Sequence, residues 1–140
     1  MLLANGQTQI SYKEVALDKE NVLVFLKPDG VLIKDLLAAA LFNQDGLEVQ
    51  EIGSFELDEL RVRAFYHYLP EETIKKCIRY LANQSLPAYV IIGVDATNKI
   101  KKLKKILRDR WGKNRTGALL HSTDKPEEFE HEIRLLDLRR

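Results

Sequence analysis

Two uninterrupted apolar runs limit what this chain can fold into. Asn21-Val-Leu-Val-Phe-Leu26 and Pro87-Ala-Tyr-Val-Ile-Ile-Gly-Val94 are built from β-branched and large residues with no polar alternation. A strand of that kind is apolar on both faces, which places it at the centre of a covered sheet. The first run stops at Lys27-Pro28-Asp29-Gly30, a strong turn signal. Residues 31–42 then carry helical spacing and end before Asn43-Gln44-Asp45-Gly46, and residues 47–57 read as a strand with partial alternation. Asp58 opens a helix holding Leu60, Val62, Ala64, Phe65 and Tyr66, and Pro70 with Glu71 and Glu72 starts another that runs to about residue 83. Residues 95–110 form a basic amphipathic helix and residues 118–121 a short strand. Ser122-Thr123-Asp124 caps a last helix over 126–136.

Helices return between strands that no hairpin joins. The order predicts an α+β domain, a four-stranded antiparallel sheet with helices packed on it in the ferredoxin-like split β-α-β arrangement. A small doubly wound sheet is the alternative that the pattern leaves open. Residues 1–20 are mixed and polar and read as an N-terminal extension with one short edge strand around 9–12, so the domain spans 21–140.

The remaining composition narrows the function classes. With 140 residues, 45% hydrophobic and 31% charged, the chain suits one globular domain with a real core. A net charge of +1 argues against a surface wholly adapted to nucleic acid or acidic membranes. No apolar run approaches the roughly 20 residues that span a bilayer, and no signal-peptide pattern opens the sequence, so a cytoplasmic protein without a membrane partner is expected. Cys77 is the single cysteine, which excludes an internal disulfide and a cysteine cluster for zinc.

Three positions invite chemistry. His121 ends an apolar strand at a turn that opens a helix, so its side chain is expected at the sheet rim beside helix N–H groups, a natural place for an anion. A neutral, oriented imidazole can attack phosphorus without further activation. Glu132, on the last helix, can reach back to hold the second ring nitrogen and set the tautomer. The plain alternative is a strand-end histidine and a solvated glutamate. Lys27 stands at a strand C-terminal end, where ligands bind in many α/β proteins, although a solvated turn lysine is the simpler reading. The run from Lys99 to Arg110 holds Lys99, Lys101, Lys102, Lys104, Lys105, Arg108 and Arg110 against Asp109. On a helix these cations cannot all face one way. Several are ordinary solvated charges, and the run can make a phosphate-binding face, a nucleic-acid patch or a membrane-surface contact, although no aromatic-rich stacking motif of the RNA-recognition type accompanies it. No glycine-rich phosphate loop is present either, so any nucleotide must be held by side chains. His67, between two tyrosines, and His131, between two glutamates, read as structural or solvated.

Together, Val-Phe-Leu-Lys-Pro-Asp-Gly-Val at 24–31 and Leu-Leu-His-Ser-Thr-Asp at 119–124, followed by Glu132, resemble the nucleoside diphosphate kinase family. The first is similar to its strand-one motif and the second to its His-Gly/Ala-Ser-Asp signature. Tyr66 falls where the family has a His-Tyr pair, Ser-Leu-Pro-Ala-Tyr-Val-Ile at 85–91 resembles its Ser-Gly-Pro strand, and Arg-Asp-Arg-Trp-Gly at 108–112 resembles Arg-x-Asp-Phe-Gly. The resemblance covers about residues 20 to 136 and implies a ferredoxin-like fold, Mg²⁺ with the nucleotide, and a homo-oligomer. His121 would accept and pass on a γ-phosphoryl group in a ping-pong exchange between nucleoside tri- and diphosphates. Glu132 would orient it, and Lys27, Tyr66, Lys104, Arg108 and Thr123 would contact nucleotide. No protein metal ligands are implied, and nucleic acid is not an expected partner.

The departures are specific. The segment between the third strand and Arg108 is markedly short, and the family's Gly-Glu-Thr-Asn-Pro stretch with its phosphate-binding threonine is missing. The base-stacking phenylalanine is replaced near Thr73 or Ile74. Gly117-Ala118 stand where an Arg-Asn pair precedes the histidine, leaving Asn114 as the candidate substitute contact. Lys104 for arginine keeps the charge and gives up the bidentate fork. The retained residues are those nearest the phosphoryl group, which predicts an active but weakened kinase. The alternative is a weak or inactive kinase-like domain that senses nucleotide or binds a protein.

Overall fold

The computed structural model describes residues 19–112 and 119–137. Its strands are β1 (Lys19–Leu26), β2 (Leu47–Phe55), β3 (Leu86–Val94) and β4 (Leu120–Ser122). The helices are α1 (Pro28–Val31), α2 (Lys34–Phe42), α3 (Glu59–Phe65), α4 (Glu71–Leu81), α5 (Ala96–Trp111) and α6 (Phe129–Asp137), with a short 3₁₀ turn at Pro126–Glu128. The strands form one sheet in the order β2-β3-β1-β4. Every pairing is antiparallel, with Leu23 opposite Val90, Val49 opposite Ile91 and Phe25 opposite His121. This is the expected split arrangement, with the α3–α4 pair set between β2 and β3, and it excludes the doubly wound alternative. The two apolar runs are the two central strands.

Side-chain alternation sends the same strands into two cores. Val22, Val24, Leu26, Tyr89 and Ile91 pack with Leu37 and Leu41 of α2 and with Ile100, Leu103 and Leu107 of α5. On the other face Leu23, Phe25 and Ala88 meet Val62 and Phe65 of α3, Leu81 of α4 and Leu135 of α6. Each such aliphatic side chain contributes about 1.5–3 kcal/mol when fully buried.

Local details differ from the sequence reading. Lys27-Pro28-Asp29-Gly30 is not an open turn, because Pro28 starts the helical turn α1 and the expected helix over 31–42 is divided at Ile33, whose φ of −123° is not helical. Ser122-Thr123-Asp124 does not cap the last helix. Lys125 occupies the N-cap position of the 3₁₀ turn without a side-chain cap, and Thr123 is drawn into the core instead. Asp58 does cap α3, accepting from the Arg61 N–H at 2.9 Å. The edge strand expected around 9–12 lies outside the described residues.

The Pro-Asp-Gly element positions the site. Lys27 N–H donates to the Leu119 carbonyl at 2.9 Å, and Leu119 N–H donates to the Asp29 carboxylate at 3.1 Å. The Tyr80 hydroxyl also donates to that carboxylate. A Cβ at Gly30 would stand 2.1 Å from the Leu119 oxygen, so only glycine permits this approach. β4 is thereby held against the end of β1 with His121 beside Phe25.

Candidate active site

His121 does not project from the rim of the sheet. The β1–β4 register lays its imidazole on the sheet face, stacked on Phe25 with centroids 4.7 Å apart and planes 16° from parallel. Phe65 and Tyr66, from the end of α3, approach its ring edge-on at 5.4 Å and 5.9 Å. The residue is 9% exposed. Burial lowers its pKa below the ordinary 6.5, against the pull of Glu132, so the ring is neutral at neutral pH.

Glu132, on α6, lies 7% exposed under the imidazole with Oε2 3.1 Å from His121 Nε2. Its other oxygen, Oε1, accepts from the Thr123 hydroxyl at 2.8 Å. That hydroxyl in turn accepts the Leu23 backbone N–H at 2.8 Å. The chain from strand backbone to Thr123 to Glu132 to His121 satisfies each buried polar group and fixes the carboxylate. A carboxylate on Nε2 places the neutral ring's proton there. The lone pair is left on Nδ1, which faces the Tyr66 hydroxyl at 3.5 Å. Burial holds that phenol far above its ordinary pKa, so it stays protonated.

Lys27, Tyr66, Lys104, Arg108, His121 and Glu132 all line one cavity of about 710 Å³, within the range of roughly 300–1,000 Å³ that holds small ligands. Lys27 Nζ sits 5.6 Å from the Tyr66 ring centroid. Burial, followed by repulsion from Arg108, lowers Lys27 to about 8. Lys104 falls to about 8 for the same two causes, with Lys27 adding to them. Mutual repulsion among cations that share a cleft is what a polyphosphate relieves. Elsewhere on α5, Lys101 pairs with Asp124 at 3.1 Å and Lys105 with Asp109 at 3.6 Å, so the basic run is split between the cleft and surface ion pairs.

Thr123, expected as a nucleotide contact, is a correction. It is fully buried and positions Glu132 rather than facing the cavity. Asn114 lies outside the described residues. Thr73 and Ile74, at the position of the missing stacking ring, do not line the cavity. Asp95 (φ 57°) alone separates β3 from α5, and Glu20 accepts the Thr97 N–H at the helix start at 3.0 Å. Sequence reasoning missed Phe25 and Phe65, which fix the ring plane, because nothing distinguishes them from other core residues. It also missed that His67, Tyr68, Cys77 and His131 line the same cavity. Among the described residues, no group of three or more His, Cys, Asp or Glu side chains is placed to hold a metal ion. No helix among them is long and apolar enough to cross a membrane.

No family model matches the chain. The curated nucleoside diphosphate kinase of Chloroflexus aggregans is 28% identical over 127 residues, covering 81% of this chain and 83% of that protein. The Clostridium perfringens nucleoside diphosphate kinase is 26% identical over 130 residues, covering 83% of this chain and 90% of its own. Among solved structures, the Aquifex aeolicus nucleoside diphosphate kinase superposes with a TM-score of 0.68 at 19% identity, over 84% of this chain and 94% of that one. The Borrelia burgdorferi enzyme, solved as a transition-state mimic with bound vanadate and ADP, gives 0.65 at 17% identity, over 85% and 87%.

Proposed function

We propose that this chain, a divergent relative of the nucleoside diphosphate kinases, moves the γ-phosphoryl group of a nucleoside triphosphate to a nucleoside diphosphate through a phosphohistidine at His121. The observation that carries the reading is the allotment of the two ring nitrogens. Glu132 takes Nε2, and Nδ1 keeps its lone pair toward the Tyr66 hydroxyl in a cleft that Lys27, Lys104 and Arg108 also line. In the forward half-reaction the Nδ1 lone pair attacks the γ-phosphorus of the Mg²⁺-bound triphosphate. The bond to the β–γ bridging oxygen breaks, and the diphosphate leaves with that electron pair. A second diphosphate then attacks the phosphohistidine through a terminal β-oxygen, and the N–P electron pair returns to Nδ1. The Glu132 carboxylate, on Nε2–H, offsets the positive charge that develops on the ring. The cations offset charge on the phosphoryl oxygens, and Tyr66 donates toward the transferring group. The metal enters as part of the substrate, on phosphate oxygens.

The reading carries a cytoplasmic setting and a homo-oligomer with it. Exposed Leu32, Leu36 and Phe42 on and beside α2, which packs against the edge strand β2, support the oligomer. The absence from the sequence of the family's Gly-Glu-Thr-Asn-Pro stretch, with its phosphate-binding threonine, favours a second reading, a nucleotide sensor with little turnover.

Incubation with γ-labelled MgATP is expected to give an acid-labile, base-stable phosphoprotein that GDP discharges as labelled GTP. The variant His121→Ala takes no label. Label that forms but is not discharged by diphosphates supports the sensor. A wild type that takes none at millimolar ATP overturns both the transfer and the phosphohistidine.

A further inference from the structure

The ligand cavity has a wall that the proposed chemistry does not use. Tyr68 lines it and is 69% exposed, whereas Tyr66 and Tyr89 are buried and Tyr80 is bonded to Asp29. The exposure is not that of a loose side chain. Tyr68 stands in a tight turn closed by the Leu69 N–H on the Tyr66 carbonyl at 3.0 Å. The neighbours Tyr66 and Leu69 are both packed into the core, and Pro70 leads directly into α4. Its ring meets His67 at right angles, with centroids 5.8 Å apart and planes 89° from parallel. A large, mostly exposed aromatic ring is therefore carried at the cavity wall by a backbone turn anchored on both sides.

The charges say which part of a ligand this wall suits. Lys27 and Lys104, both lowered by burial and then by the neighbouring Arg108 guanidinium, form the cationic side with Arg108. Tyr68 feels the opposite field, since partial burial and then the carboxylates of Asp124, Glu128 and Glu132 hold its phenol above its ordinary value and protonated. A ligand seated across both sides is anionic at one end and uncharged at the other. A flat uncharged group can stack on an exposed aromatic face whatever its hydrogen-bond pattern.

We propose that Tyr68 is the nucleobase platform of this site: the polyphosphate lies on Lys27, Lys104 and Arg108 while the base stacks on the Tyr68 ring. This rests on the nucleotide reading above and adds a specificity residue to it. The platform stands on the α3–α4 turn, not at Thr73 or Ile74 on α4, and it favours nucleotides over inorganic polyphosphates with little discrimination among bases.

Calorimetric titration of the full chain with ADP and, separately, with inorganic pyrophosphate tests the proposal in the wild type, Tyr68→Ala and Tyr68→Phe. Tyr68→Ala is expected to weaken ADP about tenfold or more while leaving pyrophosphate and the melting temperature unchanged. Tyr68→Phe keeps the ring and should bind ADP like the wild type. Unchanged ADP affinity in Tyr68→Ala, an equal loss for both ligands, or a loss in Tyr68→Phe as large as in Tyr68→Ala each overturns the platform and leaves the phosphoryl-transfer reading standing. A wild type that binds neither ligand removes the nucleotide reading and the platform with it.

Discussion

β1 serves two different interiors. Toward α2 and α5 it presents Val22, Val24 and Leu26, and these meet aliphatic side chains. Toward α3, α4 and α6 it presents Leu23 and Phe25, and here the core also encloses His121, Glu132 and Thr123. Between the side chains of the first face the cohesion is apolar burial. The second contains a titratable pair that burial by itself would penalise, and it persists because the Leu23, Thr123, Glu132 and His121 groups hydrogen-bond one to the next. The lesson is that one strand, by alternation alone, backs an aliphatic core on one side and the buried pair of the candidate site on the other, while α5 reaches from the first side to lend Lys104 and Arg108 to the cavity.

Mutations confined to one of these sides test that division. Leu37→Ala, on the aliphatic face, is expected to cost about 2–5 kcal/mol of stability, read by denaturant unfolding. The phosphohistidine should still form in the folded fraction. If Leu37→Ala abolished labelling at full folding, the two faces would be coupled.

Thr123→Val attacks the other face. It leaves the Glu132 Oε1 and the Leu23 N–H without their present partner, at a cost of about 1–3 kcal/mol. It should also lower turnover by loosening the carboxylate that sets the His121 tautomer. Thr123→Ser restores both. Turnover equal to that of the wild type in Thr123→Val would show that the packed ring planes of Phe25 and Phe65 suffice to orient His121.

The smallest effect expected is on the pH profile of kcat/KM, which reports the free enzyme. Lys27 and Lys104, both lowered to about 8, are charged below that pH and lose their protons as it rises, so kcat/KM falls above about 8. On the acid side His121 remains neutral to below its ordinary 6.5, so activity persists there. Lys104→Arg should move the alkaline limb upward, since a guanidinium keeps its charge. A profile flat to pH 10 would remove both lysines from phosphate binding.

Much of this was legible in the chain. The unalternated runs marked β1 and β3 as central, because a strand that is apolar on both faces has no exposed side to offer. The Asp58 cap and the acidic first turn of α4 were readable from local hydrogen-bond chemistry. His121 and Glu132 stood out as a pair through their spacing and the family resemblance, and the structure sets them 3.1 Å apart. Thr123 was misread because its partner Leu23 is 100 positions away, a distance over which no local pattern carries information. The bland reading of His67 and His131 took each histidine with its chain neighbours, and the cavity they share with His121 is made only when α3 and α6 pack on the sheet.

By itself the sequence determined the element types, the central strands and the residues able to do the chemistry, since these follow from side-chain periodicity and from the functional groups present. Only the tertiary structure decided that Nε2 meets Glu132 while Nδ1 meets the Tyr66 hydroxyl, that Lys27, Lys104 and Arg108 share a cleft, and that Tyr68 is left exposed at its wall. The physical reason is that tautomer, desolvation and exposure belong to contacts between distant segments, and those contacts exist only once the sheet has closed around them.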